Sequence, residues 1–233
     1  MSLEKIACIF RILINLLKFK KEFYIILKLF ISRKIFFIKI GASEASITND
    51  VLAKFINLFN CEGVLIEPNP IYFNKIKEKY SRKFTCLKLA ISNRNGSRNL
   101  FTTKKKYLNS LSAIEQTSLL RKTSFYKLKV IANLKKRGDE KKKFLKKIKV
   151  KTLEINSLLN KYKSTNLLFI DTEGHDYFIL EKLNLKKFNI NTIIFENRHI
   201  PGISLRNKLI KKFKKNNYKL IFNNFNESIY QIK

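Results

Sequence analysis

Four short apolar runs, each closed by a glycine or an acid, constrain this chain more than any other feature. Lys34–Ile40 (KIFFIKI) stops at Gly41. Gly63–Glu67 (GVLIE), Asn166–Asp171 (NLLFID) and Thr192–Glu196 (TIIFE) each end on a carboxylate. Runs this short, with no polar alternation, mark strands buried on both faces. Between them the period changes. Val51, Leu52, Phe55, Ile56 and Phe59 fall at helical spacing, with Asn49 or Asp50 placed to cap that helix. Pro68–Asn69–Pro70 breaks the second run and starts a helix over IYFNKIKEKY. Phe84–Ile91 reads as a further strand, closed by the turn Asn93–Gly96. Thr152–Tyr162, His175–Leu183 and Leu205–Asn216 read as helices. Tyr218–Phe222 and Ser228–Ile232 flank Asn223–Glu227 as a closing antiparallel hairpin. The alternation predicts an α/β fold: a mostly parallel seven-stranded sheet with a C-terminal antiparallel hairpin and helices on both faces.

Two segments stand outside that alternation. In residues 1–34, the runs Ile6–Leu17 and Phe23–Ile31 are interrupted by Arg11, Lys18, Lys20, Lys21 and Lys28. Neither reaches the roughly 20 apolar residues of a spanning helix. No small-residue cleavage site follows, which argues against a secretory signal. This stretch reads as a basic amphipathic extension that packs on the domain or rests on an anionic membrane surface. Residues 35–233 then form one domain. From about 103 to 151 its pattern dissolves into an insertion with 17 basic and 3 acidic residues. A loop this long, read as partly helical, is expected beside the site.

The charge admits two readings. The chain carries 49 Lys and Arg against 17 Asp and Glu, a net +32. Nucleic acid or an anionic membrane would suit it. So would a compositional bias towards Lys, Ile, Asn and Phe on a solvated surface. The basic segments lack the interleaved aromatics that stack single-stranded bases, which disfavours nucleic acid. Cys8, Cys61 and Cys86 show no metal or redox spacing and suit a reducing cytoplasm. The expected location is cytoplasmic, with peripheral contact at the inner face of the membrane.

Ligands in open α/β sheets sit beyond the carboxyl ends of the strands. Gly41 there lets backbone approach a ligand closely. Glu67, about 25 residues after the first turn, is placed for the ribose hydroxyls of a nucleoside. Asp171, Glu173, Glu196 and His199 share the same rim. Each has an alternative. Glu67, Asp171 and Glu173 also suit helix caps, His199 a surface loop, and His175 a structural helix start.

The stretches Phe37–Asp50 (FIKIGASEASITND), Gly63–Tyr80 (GVLIEPNPIYFNKIKEKY), Leu89–Ser97, Asn109–Ser112, Val150–Leu159, Leu167–Leu185 (LLFIDTEGHDYFILEKLNL) and Ile193–Ile200 resemble, in order and content, the FkbM methyltransferase family. The resemblance implies a Rossmann-like class I methyltransferase that uses S-adenosylmethionine. It implies that Gly41, Ala42 and Ser43 form the turn under the methionine part. Glu67, followed by Pro68, would hold the ribose, and Ala90 and Ile91 would lie near the adenine. Asp171 and Glu173 would sit by the sulfonium and acceptor, with Glu196 and His199 on the acceptor side. Asp171 and His199 are the candidate bases, His199 through an ordinary imidazole pKa if Glu196 orients it. No metal site is expected. The implied reaction is O-methylation of a sugar or glycan-linked hydroxyl on a small-molecule or glycan acceptor. The alternatives are a nucleic-acid-modifying or nucleic-acid-binding protein, and a membrane-surface protein that has lost catalysis. Ser43 and Ala45 stand where the family turn carries Asn and Gly, and Lys39 stands where many members carry an acid.

Overall fold

In the computed structural model, residues 21–32, 34–45, 51–104, 108, 112–134 and 144–233 are described. The chain runs α1 (Lys21–Ser32), β1 (Phe36–Ile40), α2 (Val51–Leu58), β2 (Glu62–Ile66), α3 (Pro70–Tyr80) and β3 (Thr85–Leu87). It continues through β4 (Ala90–Ser92), β5 (Gly96–Thr103), α4 (Ala113–Arg121), α5 (Lys127–Asn133), β6 (Leu145–Glu154) and α6 (Ile155–Lys161). It ends with β7 (Leu167–Ile170), α7 (Asp176–Lys182), β8 (Thr192–Glu196), α8 (Gly202–Lys215), β9 (Tyr218–Asn223) and β10 (Glu227–Ile232). The main sheet has the order β3-β2-β1-β7-β8-β10-β9. Its first five strands pair in parallel, and β10 pairs antiparallel with both β8 and β9. The expected seven-stranded architecture is therefore present.

The unbroken apolar runs have a direct cause. Successive side chains on a strand face opposite sides, and both sides are covered. Phe37, Leu65, Leu167, Phe169 and Ile194 join the core beneath α1, α2 and α3. Ile38, Ile40, Val64, Ile66, Leu168, Ile170, Ile193 and Phe195 join the core beneath α6, α7 and α8. In α1, Ile25, Ile26, Leu29 and Phe30 are buried, and Phe30 stacks on Phe55 at 5.5 Å. The second half of the N-terminal segment thus packs on the domain. The first half, and the Asn49 or Asp50 cap, lie outside the described residues. No described helix is long and apolar enough to cross a membrane.

Three expectations need correction. Phe84–Ile91 is not one strand. The N–H of Glu67 donates to the Leu87 carbonyl (3.1 Å), and Pro68 has no N–H to extend that ladder. Past Leu87 the chain changes partner, and β4 pairs in parallel with β6 in a second sheet of order β4-β6-β5. The insertion is also more ordered than expected at its end. Leu145–Glu154 is a ten-residue strand paired antiparallel with β5. The expected helix from Thr152 starts only at Ile155, where the Glu154 carboxylate caps it by accepting from the N–H of Asn156 and of Ser157 (both 3.0 Å).

Candidate functional site

Strand order reverses between β1 and β7, and a cleft of about 180 Å³ opens beyond their carboxyl ends. Gly41 (φ 77°) turns the chain there. Its N–H and that of Ala42 both donate to the Ile66 carbonyl (3.0 and 2.9 Å). A Cβ on Gly41 would lie 1.7 Å from the Asp171 carbonyl oxygen, so the turn closes only without a side chain. Ser43 (φ 51°) and Ala45 (φ 44°) continue it in the left-handed region, at about 1–2 kcal/mol each for residues with a Cβ. That is the physical reason Asn and Gly suit these two positions. Buried packing of Ala45, and a hydrogen bond from the Tyr80 hydroxyl to its carbonyl (3.0 Å), hold the conformation. Glu44 also lines the cleft and pairs with Arg121 (3.1 Å) and Lys75 (3.2 Å).

Glu67 is buried at the end of β2. Its carboxylate accepts from the N–H of Ser43 (2.7 Å) and of Asn69 (2.8 Å). The N-cap of α3 is Asn69, which accepts from the Ile71 N–H. Burial pushes the Glu67 carboxyl up to about 7, opposed by those two hydrogen bonds and raised further by Asp171. Lys39, also buried, lies 3.9 Å over the Phe169 ring and favours the ionised form of Glu67. Gly41, Ala42, Ser43, Glu67, Pro68, Ala90, Ile91 and Asp171 all line the one cleft.

The insertion supplies the opposite wall through Leu120, Arg121, Thr123, Ser124 and Phe125. It is tied at both sides. Asn69 Nδ2 donates to Thr123 Oγ1 (3.1 Å), and Ser124 Oγ donates to the Glu173 carbonyl (3.1 Å). Thr123 Oγ1 donates in turn to the Leu120 carbonyl (2.7 Å).

Asp171 also raises Asp176 and Glu196. Asp176 is buried and holds the 171–174 turn through Thr172 Oγ1 (2.8 Å) and the Gly174 N–H (3.3 Å). Burial first, and Asp171 second, push it up to about 7. Glu196 rises to about 8 for the same two leading reasons. Glu173 lines the cleft, whereas Glu196 and His199 do not. Those two stand against Glu173 instead: His199 Nε2 is 3.4 Å from Glu173 and 3.7 Å from Glu196. The expected ordinary imidazole at His199 is corrected. Burial, then the Lys129 ammonium, pull its pKa down to about 4, so it is a neutral but weak base. His175 lies in the core. Its Nε2 is 3.0 Å from Ser92 Oγ and 3.3 Å from Arg98, and Phe125 packs edge-on to the ring.

Glu173, Glu196 and His199 place three ligand atoms within 4.8 Å of one another. Lys122, Lys129 and Arg198 already stand 3.5, 3.5 and 3.9 Å from Glu173. A divalent ion would face three cations, so the geometry favours an ion-pair cluster. Sequence reasoning passed over Asp176, Lys122, Lys129 and Arg198. The GHD of IDTEGHD signalled Asp176. Nothing local signalled the cations, which converge from three separate segments.

Strand order, the glycine turn at the β1/β7 junction and an acid at the end of β2 define a Rossmann-like domain. The chain belongs to the FkbM methyltransferase domain family, whose model matches residues 39–220. The fold is similar to the crystal structure of methyltransferase FkbM from Methylobacillus flagellatus KT, at TM-score 0.50 and 11% identity, over 85% of this chain and 43% of that one. The chain thus spans less than half the length of that relative. A precorrin-6y C5,15-methyltransferase from Geobacter metallireducens GS-15 aligns at TM-score 0.41 and 12% identity, over 86% of this chain and 81% of that one. No curated protein sequence matches the chain.

Proposed function

We propose that this domain is an S-adenosylmethionine-dependent O-methyltransferase acting on a hydroxyl of a sugar or other small, glycan-linked acceptor. The observation that carries the reading is the buried Glu67 carboxylate facing a glycine turn across the switch point of the sheet. When bound, the cofactor supplies an electrophilic methyl group on a sulfonium. The residues present fit it. An ionised carboxylate has about four acceptor positions. Two on Glu67 hold the N–H groups of Ser43 and Asn69, which leaves the others for ribose hydroxyls. Gly41 and Ala42 offer backbone without bulk, and Ala90 and Ile91 offer an apolar wall. The chain's remaining task is to position the acceptor and take its proton. Asp171 is the base in this reading, because it lines the cleft and His199 does not. Ser124 and Glu173 give that wall the polarity a hydroxyl-bearing acceptor needs.

A pH profile tests the cofactor side. Glu67 gains its charge as pH rises through about 7, and the charged form accepts hydroxyl donors more strongly. S-adenosylhomocysteine affinity is therefore expected to rise about tenfold between pH 6 and 8 if only the ionised form binds. In Asp171→Asn the midpoint moves to lower pH, because the Asp171 charge raises the Glu67 pKa. The same variant is expected to lose turnover far more than cofactor affinity. A flat profile in both proteins contradicts the role of Glu67.

A peripheral contact with anionic lipid belongs to the same reading. Tyr24, Lys28 and Ile31 are exposed on α1 at spacings that share one face. Tyr24→Ser with Ile31→Ser is expected to reduce flotation with anionic vesicles at raised salt, where simple charge attraction is screened. Equal flotation removes the contact.

A further inference from the structure

Around Glu173 three cations meet two carboxylates, that of Glu196 and that of Glu173 itself. Lys122 caps the C-terminus of α4, Lys129 lies in α5 and Arg198 follows β8, yet all three converge on this one side chain. Their distances to Glu173, 3.5, 3.5 and 3.9 Å, exceed the roughly 2.7–2.9 Å of a seated charge-assisted hydrogen bond. Glu173 is thus shared among the three cations. The group is sheltered: Glu173 is 13% exposed and the three cations 21–30%. Gly174 makes room for it, since a Cβ there would meet Lys129 Nζ at 3.1 Å. Arg198 Nε pairs with Glu196 Oε1 at 2.5 Å, whereas His199 Nε2 and Glu196 Oε2 are buried with no aligned hydrogen bond, the latter on a residue only 6% exposed. Burial, then the Asp171 carboxylate, raise the pKa of the Glu196 carboxyl, and its pair with Arg198 opposes them. Three cations therefore stand against the two carboxylates of Glu173 and Glu196, and Glu173 forms part of the cleft wall two residues after Asp171.

We propose that Lys122, Lys129 and Arg198 form an anion subsite that holds a phosphate group on the methyl acceptor, with Glu173 as the resident counterion that the phosphate displaces. The assignment rests on the methyl-transfer reading for the word acceptor, but the subsite is testable without it. A phosphate monoester carries about −1.5 to −2 at neutral pH, and together with Glu196 it balances the three cations better than the Glu173 carboxylate does. Glu173 sits in a left-handed conformation (φ 52°) beside Gly174 (φ 102°). Its backbone is strained for a residue with a Cβ, and its ion pairs, at 3.4–3.9 Å, are long ones to displace.

Inorganic phosphate is the probe, titrated calorimetrically into the full chain in low-chloride buffer at fixed ionic strength. S-adenosylhomocysteine is titrated into the same samples. The expected result is saturable phosphate binding, weakened about fivefold or more in Lys122→Gln and in Arg198→Gln, as loss of one charge-assisted contact implies. Glu173→Gln is expected to strengthen it, since the competing anion is gone. Lys211→Gln on the exposed face of α8 leaves it unchanged, and S-adenosylhomocysteine affinity is unchanged in Lys122→Gln. Absence of saturable binding overturns the subsite, as does binding that Lys122→Gln and Arg198→Gln leave intact. Acetate binding as tightly as phosphate overturns the phosphate assignment. Phosphate binding without S-adenosylhomocysteine binding leaves the subsite standing and removes the methyl-transfer reading. The converse removes the subsite alone.

Discussion

Gly41→Ala is expected to cost roughly 3–5 kcal/mol of stability, the largest effect of any single methyl in the domain. Two costs add. A left-handed φ of 77° disfavours any residue with a Cβ by about 1–2 kcal/mol. The new carbon would also lie 1.7 Å from the Asp171 carbonyl oxygen, and forcing backbone apart in a packed region costs about 1–3 kcal/mol or more. The movement would part β1 from β7, because the N–H of Asp171 donates to the Ile40 carbonyl (2.9 Å) at that junction. Gly202→Ala is the control. Its φ is 74°, yet nothing lies within 4 Å of the added atom. It should show the conformational cost without the clash. Thermal unfolding reads the difference, and a midpoint for Gly41→Ala roughly 10 °C below wild type follows from about 2–4 °C per kcal/mol. Equal losses in the two variants would mean that the junction is looser than the geometry describes.

Glu67→Ala is expected to lower S-adenosylhomocysteine affinity about 100-fold or more. The change removes the carboxylate that would receive the ribose hydroxyls, each charge-assisted hydrogen bond being worth about 1.5–3 kcal/mol. A factor of ten corresponds to about 1.4 kcal/mol. It also strips the N–H groups of Ser43 and Asn69 of their shared acceptor, so the glycine turn and the start of α3 lose their tie. Glu67→Gln separates the two effects. Its amide oxygen still accepts one N–H, and its charge is gone at every pH. Both variants should bind weakly, and Glu67→Gln should lose the rise between pH 6 and 8. Unchanged affinity in Glu67→Ala would place the nucleoside elsewhere.

How much of this was legible in the sequence depends on how far apart the partners lie along the chain. The buried strands could be read because each carries its burial on both faces as an unbroken apolar run, and the turn could be read because Gly41 ends such a run. Glu67 and Asp171 could be read as strand ends. β6 was legible and was passed over: Ile148, Val150 and Thr152 alternate with Lys147, Lys149 and Lys151, a period of two. The abundance of Lys hid it, since the same residue also crowds the neighbouring loop. The second sheet was not legible. Whether Ala90–Ser92 continues beside β2 or leaves for β6 is decided by a strand some sixty residues away. The pairing of Glu173 with Lys122, Lys129, Arg198 and His199 joins four segments and has no local signature. The same holds for the pKa of His199, which burial and a neighbouring cation together pull down. Sequence position suggested the residue, but its titration is a property of the closed fold.

Calorimetric titration of the purified, folded full chain with S-adenosylhomocysteine at pH 8 tests the central claim most directly. One site per chain in the micromolar range, weakened in Glu67→Ala, is the result predicted. No heat of binding from a protein that melts cooperatively would contradict it, and the cleft between β1 and β7 would then be a Rossmann-like scaffold without its nucleoside.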